Sequence, residues 1–214
     1  MSARHRRTGV MKKRSERDRY APELGYYIIV TDATKTEKNY FEGLRDALPP
    51  ELGRKLSIKV HSGIVPKELV SFCLKQVAIN PNYAEPWIVI DRDEVAGFDE
   101  LIAQAQMNGI NVAWSNQCFE TWMSMYFGSI IKAENAQRCT SRFADTFRRA
   151  VGRPYEKNDR NLYQALCDFG DEGRALAQSQ KQVDELSRSC KTPSQMVPCS
   201  TVHDLVGEIR RKTR

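Results

Sequence analysis

The stretch Pro86-Trp87-Ile88-Val89-Ile90-Asp91-Arg92-Asp93-Glu94 constrains this chain most. Trp87 to Ile90 is a continuous apolar run dominated by β-branched residues. That composition suits a central strand covered on both faces, as in a parallel sheet. Asp91 and Asp93 stand where the run stops. Residues two apart in an extended chain point to the same side, so two carboxylates converge at the carboxyl end of a strand. Open α/β sheets place their ligands there. Two close carboxylates repel each other, and a hard cation such as Mg²⁺ relieves the repulsion. The same residues also fit a polar turn after a strand, with Asp91 capping the helix that follows.

The pattern recurs along the first 130 residues. Tyr26-Tyr27-Ile28-Ile29-Val30-Thr31 is an apolar strand that runs into the polar turn Asp32-Ala33-Thr34-Lys35-Thr36-Glu37. Tyr40, Phe41, Leu44 and Leu48 then recur at helical spacing, with Thr34 or Thr36 as a cap and Pro49-Pro50 as the stop. Leu56-Ser57-Ile58-Lys59-Val60 alternates, which predicts a less covered strand nearer an edge. Pro66 opens a helix whose apolar face is Leu69, Val70, Cys73, Leu74 and Val77. Phe98, Leu101, Ile102 and Ala105 mark another helix, ended near Gly109. Ile110 to Trp114 is a further strand, followed by the turn Ser115-Asn116-Gln117-Cys118 and a helix candidate over 119–127. This alternation predicts an α/β fold, with a mostly parallel sheet flanked by helices on both faces. From about residue 130 the chain is polar, helix-friendly and poor in strand signals. Helices are expected near 133–150, 159–168, 171–190 and 200–212, the last capped by Ser200 or Thr201. The expected organisation is a basic arm over 1–24, an α/β core over 25–130 and a helical region over 131–214 packed on it.

Composition narrows the classes. No stretch approaches the roughly 18 apolar residues of a membrane span, and the basic start lacks an apolar signal region. A soluble, cytoplasmic protein with no membrane partner is expected. The six cysteines form no CxxC and only three histidines are present, which excludes a standard zinc site or disulfide framework. Reduced, mostly buried thiols are expected. The net charge of +6 is concentrated at the start: residues 1–20 hold eight basic residues against Glu16 and Asp18, and the rest of the chain carries 25 of each sign. A basic arm suits contact with nucleic-acid phosphates and also suits a solubilising terminus.

Three polar turns follow strands expected to be neighbours: Asp32 with Glu37, Asp91 with Asp93, and Asn116 with Glu120. In a parallel sheet all three lie along one edge. Several carboxylates with few histidines suit oxygen-ligated Mg²⁺ or Mn²⁺ rather than zinc. Such an ion can orient a phosphodiester, stabilise its developing charge and activate water. Each residue also has a plainer role. Asp32 can cap a helix, Glu37 can complement a helix dipole, and Asn116 and Glu120 can fix the strand–helix turn. Lys157 can be an exposed surface lysine and His203 a partly buried structural one. Trp87, Trp114, Phe119 and Trp122 suit a core better than a base-stacking platform.

At these residues the sequence resembles the RloB-like proteins. The segments Ile29 to Phe41, Val89 to Glu94 and Ser115 to Trp122 resemble three motifs of that family. Tyr155-Glu156-Lys157-Asn158-Asp159 and Pro198-Cys199-Ser200-Thr201-Val202-His203 resemble later ones. The resemblance implies a Toprim-like (Rossmann-like) α/β fold and a bacterial anti-phage setting. A partner subunit such as an ATPase, and an oligomer, are both compatible with that setting. It implies that Asp91 and Asp93 hold a Mg²⁺ ion and puts Asp32 at the acid/base position, as base or second ligand; Glu37 is a candidate to supply a carboxylate beside it. Beside these, His203 is a candidate proton carrier or substrate contact, Asn116 and Glu120 are candidates to bind phosphate or metal, and Lys157 and Thr201 are candidate substrate contacts. The sequence departs from the pattern at Asp32-Ala33, where the family fold carries glutamate and glycine. An aspartate reaches about one methylene less far, and positioning matters strongly in catalysis. The implied function is a Mg²⁺-dependent nuclease acting on RNA, tRNA included, or DNA. The alternative is a non-catalytic nucleic-acid-binding or sensor subunit of a defence system. Nucleotidyl transfer is a third reading, without a visible primase-like module to support it.

Overall fold

Four short runs of apolar residues become the parallel strands of one sheet in the computed structural model, which describes residues 25–62, 67–92, 95–190 and 192–213. They are β1 (Tyr27–Thr31), β2 (Leu56–Val60), β3 (Glu85–Asp91) and β4 (Asn111–Asn116), and a two-residue β5 (Cys199–Ser200) completes the sheet. The spatial order is β2-β1-β3-β4-β5. β1 pairs parallel with β2 and β3, and β3 pairs parallel with β4. Only β5 runs antiparallel, against the end of β4. The alternating strand β2 lies at the edge, as its half-covered pattern predicts.

Nine α-helices flank the sheet among the described residues: α1 (Thr36–Asp46), α2 (Pro50–Gly53), α3 (Lys67–Ile79), α4 (Phe98–Met107), α5 (Glu120–Ser124), α6 (Ala136–Val151), α7 (Leu162–Phe169), α8 (Glu172–Leu186) and α9 (Val202–Lys212). The expected helix over 119–127 is shorter: α5 gives way to a 3₁₀ turn over Met125–Phe127. Asn135 sets the start of α6, its side chain accepting from Arg138 N at 2.9 Å. Lys35 precedes α1 without a side-chain cap bond, so neither Thr34 nor Thr36 takes that role. Pro66, the expected opener of α3, lies outside the described residues.

The pleat sorts the strand side chains into two cores. Ile28, Val30, Ile88 and Ile90 face Leu69, Val70, Leu101 and Ile102 of α3 and α4. Tyr27, Ile29, Trp87 and Val89 face the opposite way, onto α1 and the helices after residue 130. That second core contains Tyr40, Phe41 and Leu44 together with Phe143, Phe147, Leu162, Tyr163, Leu205 and Ile209. Gly43 lets α1 approach α7, since a Cβ there would come within 2.5 Å of Tyr163 Cβ. A polar knot ties the late helices to each other. Glu172 accepts from Arg210 Nε at 2.7 Å, Tyr163 Oη at 2.8 Å and Tyr126 Oη at 3.3 Å.

β5 is an element that the sequence reading did not contain, because two residues cannot express a period. Ser200 and Cys199 lie opposite Ser115 and Asn116. Thr201 extends the contact, its N–H donating to Trp114 O at 2.8 Å and its Oγ1 accepting from Trp114 N at 2.9 Å. The expected cap of α9 is therefore engaged with β4 instead, and Val202 N donates to Ser200 Oγ at 3.3 Å. Cys73, Cys118, Cys139 and Cys199 are buried free thiols, and Cys167 is exposed. No helix among the described residues is long and apolar enough to cross a membrane.

Candidate active site

The carboxyl ends of β1, β3 and β4 lie side by side, because these strands are consecutive in the sheet and parallel. Each is followed at once by a turn that leads away to a helix. The first turn is bent by Thr31, whose buried Oγ1 accepts from Ala33 N at 3.1 Å. It delivers Asp32 to the strand end and Glu37 to the first turn of α1. β3 ends on Asp91 itself, opposite Ser115 of β4. β4 leads through Phe119 into α5, whose first residue is Glu120. Asp91 spans these last two elements, its Oδ2 accepting from Phe119 N at 3.0 Å.

Asp32, Glu37, Asp91 and Glu120 thereby line one cavity of about 240 Å³, together with Lys35, Thr36 and Lys157. Glu120 is 1 % exposed and Glu37 7 %. Burial pushes the Glu37 carboxyl up to about 7, against its own backbone N–H, which lowers it; the charges of Glu120 and Asp32 raise it and a hydrogen bond with Asp91 lowers it. Glu120 accepts from Tyr155 Oη at 3.0 Å and lies 3.7 Å from Lys157 Nζ. Tyr155 Oη also reaches Thr36 Oγ1 at 3.3 Å. Burial works against the Lys157 charge, yet Glu120, Glu37 and Asp91 hold its ammonium above the usual lysine range. The segment that carries these two residues is fastened by Arg153 to Asp159 at 2.6 Å and by Asn39 Nδ2 to Lys157 O at 3.4 Å.

The lining of the cavity offers carboxylate and hydroxyl oxygens and no thiol or imidazole. That chemistry fits a hard cation of the Mg²⁺ or Mn²⁺ type and does not fit a zinc-type site. Among the described residues no three His, Cys, Asp or Glu groups already stand as a metal-ligand set. Asp93 lies outside the described residues, as does the basic arm over 1–24.

Of the sequence candidates, Asp32, Glu37, Asp91, Glu120 and Lys157 come together here. Three others are elsewhere. Asn116 is buried and its Nδ2 donates to Pro193 O at 3.2 Å and Ser194 O at 3.1 Å, holding the loop before β5. Thr201 is spent on Trp114. His203 is 5 % exposed between α8 and α9, with Nδ1 3.0 Å from Ser179 Oγ and Nε2 3.2 Å from Gln180 Oε1. Burial lowers its pKa, against the pull of Asp204, so the imidazole is held towards its neutral form. Thr36 and Lys35 line the cavity and Tyr155 braces it through Glu120, roles the sequence reading did not give them. Tyr155 stands two residues before Lys157 outside any helix, and that spacing was the available signal.

A family model described as RloB-like protein matches residues 27–209. No curated protein and no solved structure matches the chain.

Proposed function

The chain belongs to the RloB-like protein family, and from that membership and the carboxylate pocket we propose that it is a Mg²⁺- or Mn²⁺-dependent nuclease with a Toprim-like centre. Its substrate is a phosphodiester in RNA, tRNA included, or in DNA, and its setting is anti-phage defence, which rests on the family resemblance. One observation carries the chemistry: Asp32, Glu37, Asp91 and Glu120 converge with Lys157 in a single cavity at the ends of parallel strands. Asp91, with Asp93 and Asp32, would hold the cation. When bound, it would supply Lewis-acid polarisation of a phosphoryl oxygen and a more acidic water. Glu37 is placed to move a proton beside Asp91. Tyr155 fixes the Glu120 carboxylate, and Lys157 offers a cation to a phosphate at the mouth of the cavity.

The test is cleavage of labelled tRNA, single-stranded RNA and duplex DNA with Mg²⁺ or Mn²⁺. Wild type runs beside an Asp91→Asn/Asp93→Asn double variant shown to remain folded. Metal-dependent cleavage should fall at least about 10³-fold in the variant. Equal cleavage by both would remove this site from the reaction.

A second reading is a non-catalytic nucleic-acid-binding or sensor subunit. It is favoured by Asp32-Ala33 in place of glutamate and glycine. Binding without cleavage by any divalent ion, with a partner ATPase present or absent, and still without cleavage after Asp32→Glu, selects it.

A further inference from the structure

The carboxylate pocket does not end at Lys157. A second hollow of about 500 Å³ continues along α6, and both Lys157 and Tyr155 line it, with Gln137, Thr140, Ser141 and Ala144 on its helical wall. The two cavities share Lys157. Residues 137, 140, 141 and 144 recur at helical spacing and so form one stripe beside the buried face of Cys139, Phe143 and Phe147. The Tyr155 ring is held edge-on against Phe143, with centroids 4.8 Å apart at 85°. The hollow's floor is therefore fixed.

We propose that this hollow holds an unpaired nucleoside adjoining the phosphodiester to be cut, so that the substrate is single-stranded or looped nucleic acid. The proposal deepens the nuclease reading and rests on it for the position of the phosphate. Four observations carry it. The volume lies within the range of small-ligand sites, roughly 300–1,000 Å³. Of the residues lining the hollow, the one charged group is the cation Lys157, so a neutral base meets no carboxylate on the wall over α6. The wall combines methyl groups of Ala144 and Thr140 with the Gln137 amide and the Ser141 hydroxyl. An apolar floor with a few hydrogen-bonding groups at its edge suits a base, whose faces are apolar and whose rim donates and accepts. Continuity through Lys157 sets the order: phosphate beside Lys157, nucleoside over α6. A base within a duplex is stacked and paired and cannot enter such a hollow without being extruded.

The experiment measures binding and cleavage separately on the full chain. Fluorescence anisotropy with labelled single-stranded RNA, single-stranded DNA and the matching duplexes is read in Ca²⁺, and cleavage is read in Mg²⁺ or Mn²⁺. Ser141→Leu/Ala144→Leu fills the hollow without adding charge or an aromatic face, and leucine is a good helix former. Gln137→Glu, at an exposed position, places a negative charge in the hollow without adding bulk. Single strands should bind at least about tenfold tighter than duplex, and each variant should lose about tenfold in single-strand binding. Tighter duplex binding, or unchanged single-strand binding in both variants, overturns the proposal. Cleavage by wild type that neither variant alters would overturn the hollow alone and leave the nuclease reading standing. Binding that the variants abolish, without cleavage by wild type or by Asp32→Glu and with a partner ATPase present or absent, would overturn the nuclease reading and leave the hollow standing as a nucleoside site. No binding to any strand by wild type overturns the hollow outright.

Discussion

Glu37 is held nearly out of water among three other acids, and its proton responds to pH near neutrality. The folded carboxyl is pushed up to about 7 from an ordinary value of 4.5, mainly by burial. Below pH 4.5 the proton is bound in both states and costs nothing. Between 4.5 and 7 the unfolded chain releases it while the folded chain keeps it, so this contribution to stability is lost as pH rises through about 7. Glu37→Gln removes the dependence. In EDTA the variant should gain on the order of 3 kcal/mol over wild type between pH 4.5 and pH 8. Urea denaturation of both proteins across that range is the measurement, and parallel pH curves would refute the assignment. The residue scale is also where function was hardest to read from sequence. Asn116 and His203 carry groups that could do chemistry, but their partners are Ser194, Ser179 and Gln180, far away in the chain. Lys157 and Tyr155 reach Glu120 across more than 30 residues, and only folding puts them there.

Elements were more legible than side-chain roles, for a physical reason. β1 and the middle of β3 are covered on both faces, so Tyr27 to Val30 and Trp87 to Ile90 are apolar, and such unbroken runs are visible without partners. Parallel pairing then fixes the edge on which the polar turns fall. β5 leaves no such trace, since its two residues are held by hydrogen bonds that any sequence with the right hydroxyls could make. A test of its weight is Thr201→Val. The change keeps the shape and removes the oxygen that accepts from Trp114 N, leaving a buried N–H without that partner. The cost should be about 1–3 kcal/mol, read as a lower denaturation midpoint. No loss of stability would mean that the junction of β4 and β5 is held by other contacts. The short α5 follows the same logic. Its identity as a helix is plain from 120 onward, but its end at Ser124 is set by contacts that the local sequence does not display.

For the whole molecule, the question is what keeps the late helices seated behind the site. Apolar packing supplies most of the area, but the knot of Glu172, Arg210, Tyr163 and Tyr126 gives the seating its direction. The Glu172 and Arg210 side chains are 19 % and 23 % exposed, dry enough for a lost partner to matter. Arg210→Leu should destabilise the chain by about 2 kcal/mol, since Glu172 would keep its two tyrosines but lose its counter-charge. Calorimetry should register a fall in Tm of roughly 5 °C. An unchanged Tm would mean that the ion pair merely breaks even.

The closing of the sheet by β5 also sets a schedule for synthesis. Ser115 and Ser200, which meet across that pairing, are 85 residues apart. At about 5–20 residues per second the ribosome needs roughly 4–17 s to pass from one to the other. Throughout that interval the outer rim of β4 lacks the partners that Cys199, Ser200 and Thr201 give it in the folded chain. Crowded polysomes translating this message would bring many such rims together. The final closure of the sheet is thus as much a matter of timing as of affinity.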